Sequence, residues 1–217
     1  MSYAHAVLFD FDYTLADSSR GALECIGYAL ESCGLPVPEE QVILSTIGMS
    51  LDDTFALLSP GGCVERLKDL FIERADQVMA DSIQLYDGVP ELMSALKGRG
   101  YGVGIVSTKF RRRIESVLRR DGIFHLVDVI VGGEDVTNHK PHPEGLEKAI
   151  EKLGCGKELV AYVGDSLVDA KTAASAGVRF IGLAMGTTPG DELSRHGAVA
   201  VADNPTGLLN LLPLVKS

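Results

Sequence analysis

Short apolar runs recur along the chain, most of them rich in β-branched residues, and each leads through a loop into a segment of helical period. The runs are Ala4–Phe9, Tyr101–Val106, Val127–Val131, Leu159–Val163 and Val178–Leu183, with a weaker one at Ala198–Ala202. Nearly continuous apolarity, without polar alternation, suits strands covered on both faces, as in a parallel sheet. Helical patterns lie between them at Val89–Arg99, Arg111–Arg120, Pro143–Leu153 and Asp169–Ala176. Pro143 stands at a helix start and Gly177 just past a helix end, which is normal helix punctuation. Strand and helix alternate from residue 88 onward, which predicts a doubly wound α/β core, Rossmann-like, around a parallel sheet.

One stretch breaks the alternation. From Asp17 to Asp81 only helical patterns occur, at Arg20–Cys33, Glu39–Thr46, Leu51–Leu58 and Val64–Ala80, separated by Gly34, Pro36, Pro38 and the Ser59-Pro60-Gly61-Gly62 turn. An all-helical block after the first strand predicts an inserted cap, residues 17–81, on a core formed by residues 1–16 and 82–217. The crossings fall near Ala16–Ser19 and Ser82–Gly88. A length of 217 residues fits one domain plus such an insertion, at roughly 150 residues per domain.

Composition narrows the function. With 46% apolar residues the chain has ample material for a core and is not of the disordered class. Its 20 Lys and Arg against 30 Asp and Glu give a net charge of −10. Such a surface repels polyanions, so neither nucleic acid nor an anionic membrane is expected as a partner. A small anion binds only where the local field is reversed. No apolar run is long enough to span a bilayer, and acidic residues interrupt the N-terminal stretch where a signal peptide needs continuous apolarity. The expectation is a cytoplasmic monomer or weak homodimer. Cys25, Cys33, Cys63 and Cys155 form no CxxC pair and read as small buried or half-buried thiols in a reducing compartment.

Open parallel sheets bind ligands beyond the carboxyl ends of their strands. There this chain places Asp10-Phe11-Asp12-Tyr13-Thr14-Leu15, then Ser107-Thr108-Lys109, then Gly132-Gly133-Glu134-Asp135, then Gly164-Asp165-Ser166 with Asp169 beyond, and Lys140 ahead of the Pro143 helix. Asp10 and Asp12 are two apart at a strand end, and Asp165 brings a third carboxylate from another strand. Three carboxylates in one crevice stay ionised only with compensating cations. A hard, oxygen-seeking divalent ion, Mg²⁺, fits that need, and Lys140 adds a second positive centre.

In order and chemistry these segments resemble the four motifs of the haloacid dehalogenase-like hydrolases: Asp10-Phe11-Asp12-Tyr13-Thr14-Leu15, Ser107, Lys140-Pro141, and Gly164-Asp165-Ser166-Leu167-Val168-Asp169. The helical insertion sits where that family carries its smaller cap. Val131–Val136 through Lys140-Pro141-His142-Pro143, with Ile47-Gly48-Met49, is most similar to phosphoglycolate phosphatases. The resemblance implies a phosphatase for small phosphorylated metabolites. It makes Asp10 the nucleophile that becomes an aspartyl-phosphate and Asp12 the general acid and base. Ser107, with Thr108 in the same loop, holds the phosphoryl oxygens, and Lys140 offsets their charge. The same resemblance places Mg²⁺ on Asp10, the backbone carbonyl of Asp12, and Asp165, with Asp169 in support. Tyr13 departs from the family pattern, which most often has glycine there, and this leaves the conformation of the nucleophile loop open.

Other members are weighed residue by residue. Dehalogenases lack a second carboxylate two residues after the nucleophile, where Asp12 stands. Phosphonate-cleaving relatives need a cap lysine, and the first lysine here is Lys68, late in the cap. A sugar-phosphate mutase shares the motifs and remains an alternative. So, from another class, does a phosphoacceptor signalling domain, though the helical insertion and the Gly164-Asp165 motif count against it. Arg20 offers a positive group for a substrate carboxylate, with a solvated surface arginine as the plain alternative. Gly48 and Met49 lie in a loop able to face the crevice, although Met49, like Phe55, also fits the cap's own core. Arg111-Arg112-Arg113, just after Ser107-Thr108-Lys109, either widens the positive field or, as charge runs usually do, forms the polar side of a helix, and His139 with His142 read as loop hydrogen-bonding residues rather than a metal pair.

Overall fold

The computed structural model describes residues 5–186 and 188–212, so Ala4 of the first expected strand lies outside the described residues. In chain order the elements are β1 (Ala6–Phe9), β2 (Ala16–Asp17), α1 (Ser19–Ser32), α2 (Glu40–Leu44), α3 (Leu51–Leu58), α4 (Val64–Ser82) and β3 (Gln84–Leu85). The second part runs α5 (Val89–Gly98), β4 (Gly102–Val106), α6 (Arg111–Arg120), β5 (Val129–Val131), α7 (Glu144–Leu153), β6 (Val160–Gly164), α8 (Leu167–Ala176), β7 (Arg179–Leu183), α9 (Gly190–Arg195), β8 (Ala198–Ala202) and α10 (Leu208–Leu211).

Six strands form one sheet in the order β5-β4-β1-β6-β7-β8, every neighbouring pair parallel. The continuous apolar runs are covered on both sides. Val7 and Phe9 of β1 join one buried cluster with Val103 and Ile105 of β4, while Ala6 and Leu8 join the other with Val160 and Tyr162 of β6. Alternate residues of a strand point to opposite faces, so each face needs its own apolar partners, and helices supply them.

The helical segment between β2 and β3 is built by facing stripes. Cys25, Ile26, Ala29 and Leu30 of α1 are buried with Leu67, Leu70, Phe71, Ala75 and Met79 of α4. Ser50 caps α3 by accepting from the Asp53 backbone N–H, which satisfies one of the unpaired amides of the first turn. Hydropathy reading misses one feature. β2 and β3 pair antiparallel through Ala16–Leu85 and Asp17–Gln84, lengthened by Tyr86 N–H donating to the Leu15 carbonyl at 3.0 Å. Two residues a strand are too few to show a period, yet they fasten both chain crossings together. Two smaller expectations change as well: Cys33 and Cys63 are exposed rather than half-buried, and Arg113 is buried rather than solvated.

Candidate active site

The strand order reverses around β1, because the chain moves from β1 out to β4 and β5 on one side and returns to β6 on the other. Such a reversal leaves a crevice at the carboxyl ends. Asp10 follows β1 there, with its N–H donating to Val163 O at 2.9 Å. Ser107 follows the neighbouring β4, and Asp165 follows β6 on the other side. Thr14 reaches back across the crevice, its hydroxyl donating to Asp165 Oδ1 at 2.9 Å.

Lys140 enters from the loop before α7. Its Nζ lies 2.9 Å from Asp10 Oδ2, 2.7 Å from Asp169 Oδ1 and 3.4 Å from Tyr162 Oη. Asp169 sits at the start of α8 in a capping box with Ser166, accepts from that residue's N–H and hydroxyl, and accepts from Tyr162 Oη at 3.0 Å. Both Asp169 oxygens are thus engaged in holding Lys140 and the helix start. Asp10, Asp165 and Asp169 each bring a carboxylate oxygen within 4.8 Å of the others.

Electrostatics identify a shortage of positive charge. Burial pushes the Asp10 carboxyl up, the Lys140 ammonium opposes this, and Asp169 and Asp12 add to the rise, leaving it at about 6. Burial, then Asp169 and Asp10, likewise drive Asp165 well above the carboxylate range. Burial disfavours a charged Lys140, but Asp10 and Asp169 outweigh it and hold the ammonium more tightly than usual. One ammonium among three buried acids is too little. Asp10 Oδ1 is also buried without a hydrogen-bond partner, an expensive state for a carboxylate oxygen. An orphaned oxygen beside Asp165 fits a hard cation, so Mg²⁺ suits the residues present.

The Asp12 carboxylate belongs to a different set. It accepts from the Ser18 hydroxyl and pairs with Lys109 Nζ at 3.1 Å, and it is not one of the three acids whose oxygens gather within 4.8 Å.

A family model for the haloacid dehalogenase-like hydrolases matches residues 7–183, a span from β1 to the end of β7 that contains every residue of this crevice named above. The chain belongs to that family. This hydrolase is 31% identical to the N-acetylmuramic acid 6-phosphate phosphatase of Pseudomonas aeruginosa, across 95% of its own length and 94% of the relative's. It is 28% identical to a phosphoglycolate phosphatase of Salmonella typhi, across 97% and 93%. A solved structure of a haloacid dehalogenase-like hydrolase from Bacteroides fragilis superposes with a TM-score of 0.90 at 40% identity, covering 96% of this chain and all of that one.

The hydrolase departs from its own sequence pattern at instructive places. Tyr13, where the family most often has glycine, takes a left-handed backbone conformation with φ of 58°. That conformation costs a non-glycine residue about 1 kcal/mol. The Tyr13 N–H donates to Ala16 O at 2.8 Å and the phenol lies 3.0 Å from Ser19 Oγ, contacts that hold the turn. Arg20 is exposed in the first turn of α1. Gly48 and Met49 line a cavity that Asp12 and Lys109 also line, Met49 at 37% exposure, whereas Phe55 is fully buried. Thr108 donates to Gly48 O at 3.2 Å, joining the loop after β4 to the helical segment.

Three residues of the site escaped motif reading. Lys109, next to the expected Ser107 and Thr108, holds Asp12. Arg113, 6% exposed, pairs with Asp76 of α4 and lies against the Phe71 and Phe110 rings. Gly186, after β7, passes so close to Asp165 that a Cβ there would sit 1.9 Å from Asp165 Oδ2. Lys109, beside Ser107, and Arg113, in the arginine run, carried a signal in the sequence; Gly186 acts only through a contact across the fold.

Proposed function

We propose that this hydrolase is a Mg²⁺-dependent phosphatase of small phosphomonoesters, working through an aspartyl-phosphate, with residues 17–81 as a cap over a core of residues 1–16 and 82–217. The observation that carries this reading is the buried Asp10, one oxygen held by Lys140 and the other without a partner.

One oxygen of the Asp10 carboxylate attacks phosphorus, and the bond to the leaving oxygen breaks. Asp12 enters the cycle protonated, which frees it from Lys109, delivers that proton to the leaving oxygen and takes one back from the water that releases phosphate. Lys140 keeps the nucleophile turned into the crevice and offsets charge that grows on the phosphoryl oxygens, which Ser107 and the neighbouring Thr108 loop receive. The residues that would hold Mg²⁺ are Asp10, Asp165 and the Asp12 backbone carbonyl, with Asp169 behind Lys140. When bound, the ion supplies fixed positive charge for the carboxylates and the phosphoryl group.

Acetyl phosphate tests the reading, because its small leaving group needs no proton. Catalytic release of phosphate with MgCl₂, abolished by EDTA, is the expected result. Turnover undiminished by EDTA removes the metal, and stoichiometric labelling without turnover assigns the chain to the phosphoacceptor class instead.

Metal binding has a pH signature. Without metal, Asp10 titrates near 6 in the folded chain, against 3.8 for an unperturbed aspartate. The folded state therefore holds more protons between those values, and this group's contribution to stability falls as pH rises through 6. A cation competes with those protons. The rise in melting temperature given by millimolar MgCl₂ is expected to be larger at about pH 8 than at about pH 5; a smaller rise at the higher pH contradicts the assignment.

Gly186→Ala pushes a methyl against Asp165 and should weaken Mg²⁺ binding on the order of 10-fold, read by the same melting shift across a MgCl₂ titration. An unchanged midpoint means that Asp165 does not touch the ion.

A further inference from the structure

Tyr162 stands beside Lys140 and has no part in the reading above. Its ring is fully buried in β6, in the apolar cluster that also holds Val160 and Leu8, its register partner in β1. The hydroxyl is the polar exception in that surrounding. It lies 3.4 Å from Lys140 Nζ, 3.0 Å from Asp169 Oδ1 and 3.1 Å from Val106 O. We infer, building on the phosphatase reading, that Tyr162 is a positioning residue whose hydroxyl fixes where Lys140 stands as charge grows on the phosphoryl group.

The argument rests on a count of hydrogens. An ammonium has three N–H groups, and Lys140 has three acceptors around it: Asp10 Oδ2 at 2.9 Å, Asp169 Oδ1 at 2.7 Å and the phenol oxygen. With two partners an ammonium keeps a swing about the line that joins them, and a third partner removes it. The phenol is itself held in place. Burial, then Asp169 and Asp10, keep its proton on well beyond the usual phenol range, and that single hydrogen goes to Asp169 Oδ1 or to Val106 O. Val106 is the last residue of β4 and precedes Ser107. One hydroxyl thus joins the lysine to the strand end that leads into the phosphate-binding loop.

Loss of the hydroxyl leaves the charge of Lys140 in the crevice and loosens its place alone. Attraction for a bound phosphate is therefore kept. The cost falls on the step in which charge develops, where a misplacement of about 1 Å lowers the rate on the order of 100-fold.

Acetyl phosphate at saturating MgCl₂ is the assay, because its leaving group needs no proton and the role of Asp12 as acid drops out. Tyr162→Phe keeps the ring and is expected to lower kcat about 10-fold while KM moves less than about 2-fold. In a Lys140→Ala background the same substitution should change kcat less than about 2-fold, since a residue that acts through another has nothing left to act on. The MgCl₂ concentration for half-maximal rate should stay within about 2-fold of the parent's. Tyr162→Met fills the space with a flexible apolar side chain and no hydroxyl, and it repeats the comparison should Phe disturb the strand. An unchanged kcat in both variants overturns the inference. So does an equal loss with and without Lys140, which assigns the effect to Val106 and Ser107. A MgCl₂ midpoint raised about 10-fold also overturns it, because Tyr162 then acts on the metal site through Asp169. These three results leave the phosphatase reading intact, whereas no turnover of acetyl phosphate by the parent brings both down.

Discussion

Asp10→Asn removes turnover, with a loss on the order of 10⁴-fold or more in kcat, while circular dichroism shows an intact fold. The amide keeps the shape of the carboxylate and its place at the end of β1, where the main-chain bond to Val163 O is untouched. It lacks the charge and the nucleophilic oxygen. The structure makes this substitution mild for folding, because burial already drives the Asp10 carboxyl up to about 6 against the pull of Lys140. A neutral group there relieves part of the crowding among Asp10, Asp165 and Asp169. Substantial phosphate release by a well-folded Asp10→Asn protein would falsify the covalent route.

Lys140→Ala is expected to cost about 3 kcal/mol or more of transition-state stabilisation, a fall in kcat of roughly 100-fold or greater. The ammonium is preorganised by two carboxylates, at 2.9 and 2.7 Å, so it meets growing phosphoryl charge without having to move. Stability falls too, since Asp10 and Asp169 lose their only paired ammonium among the described contacts. Added MgCl₂ should recover more melting temperature than activity, because a cation restores charge balance but not the lysine's position. A kcat equal to the parent's, measured at saturating MgCl₂, shows that Lys140 does not face the reacting group.

These two outcomes separate the roles of residues that were visible from the start. Asp10, Asp12, Ser107, Asp165 and Asp169 were legible because each follows an apolar run or opens a helix, where a parallel sheet exposes its carboxyl ends, and Lys140 because it stands in the loop just ahead of a helix start. Arg20 was equally visible and is exposed on the first turn of α1, where one step along the helix turns a side chain about 100° around its axis. Met49 was ambiguous between core and wall. A loop residue has no period to say which way it faces, and its neighbour Phe55 on α3 is the one fully buried. The Arg111-Arg112-Arg113 run read as one polar face, yet Arg113 turns inward to Asp76 and the Phe71 ring.

Local chemistry along the chain was enough to specify the alternation of strand and helix, the helical block after β1 and the family to which the motifs belong. Burial of both sheet faces and the short loops of parallel connections leave strong marks in consecutive residues. Which acids gather around Lys140, which acid Lys109 holds and how Gly186 presses on Asp165 depend on groups tens of residues apart. Those contacts act through space at about 2 to 4 Å, and only packing the sheet in the order β5-β4-β1-β6-β7-β8 brings them within that reach.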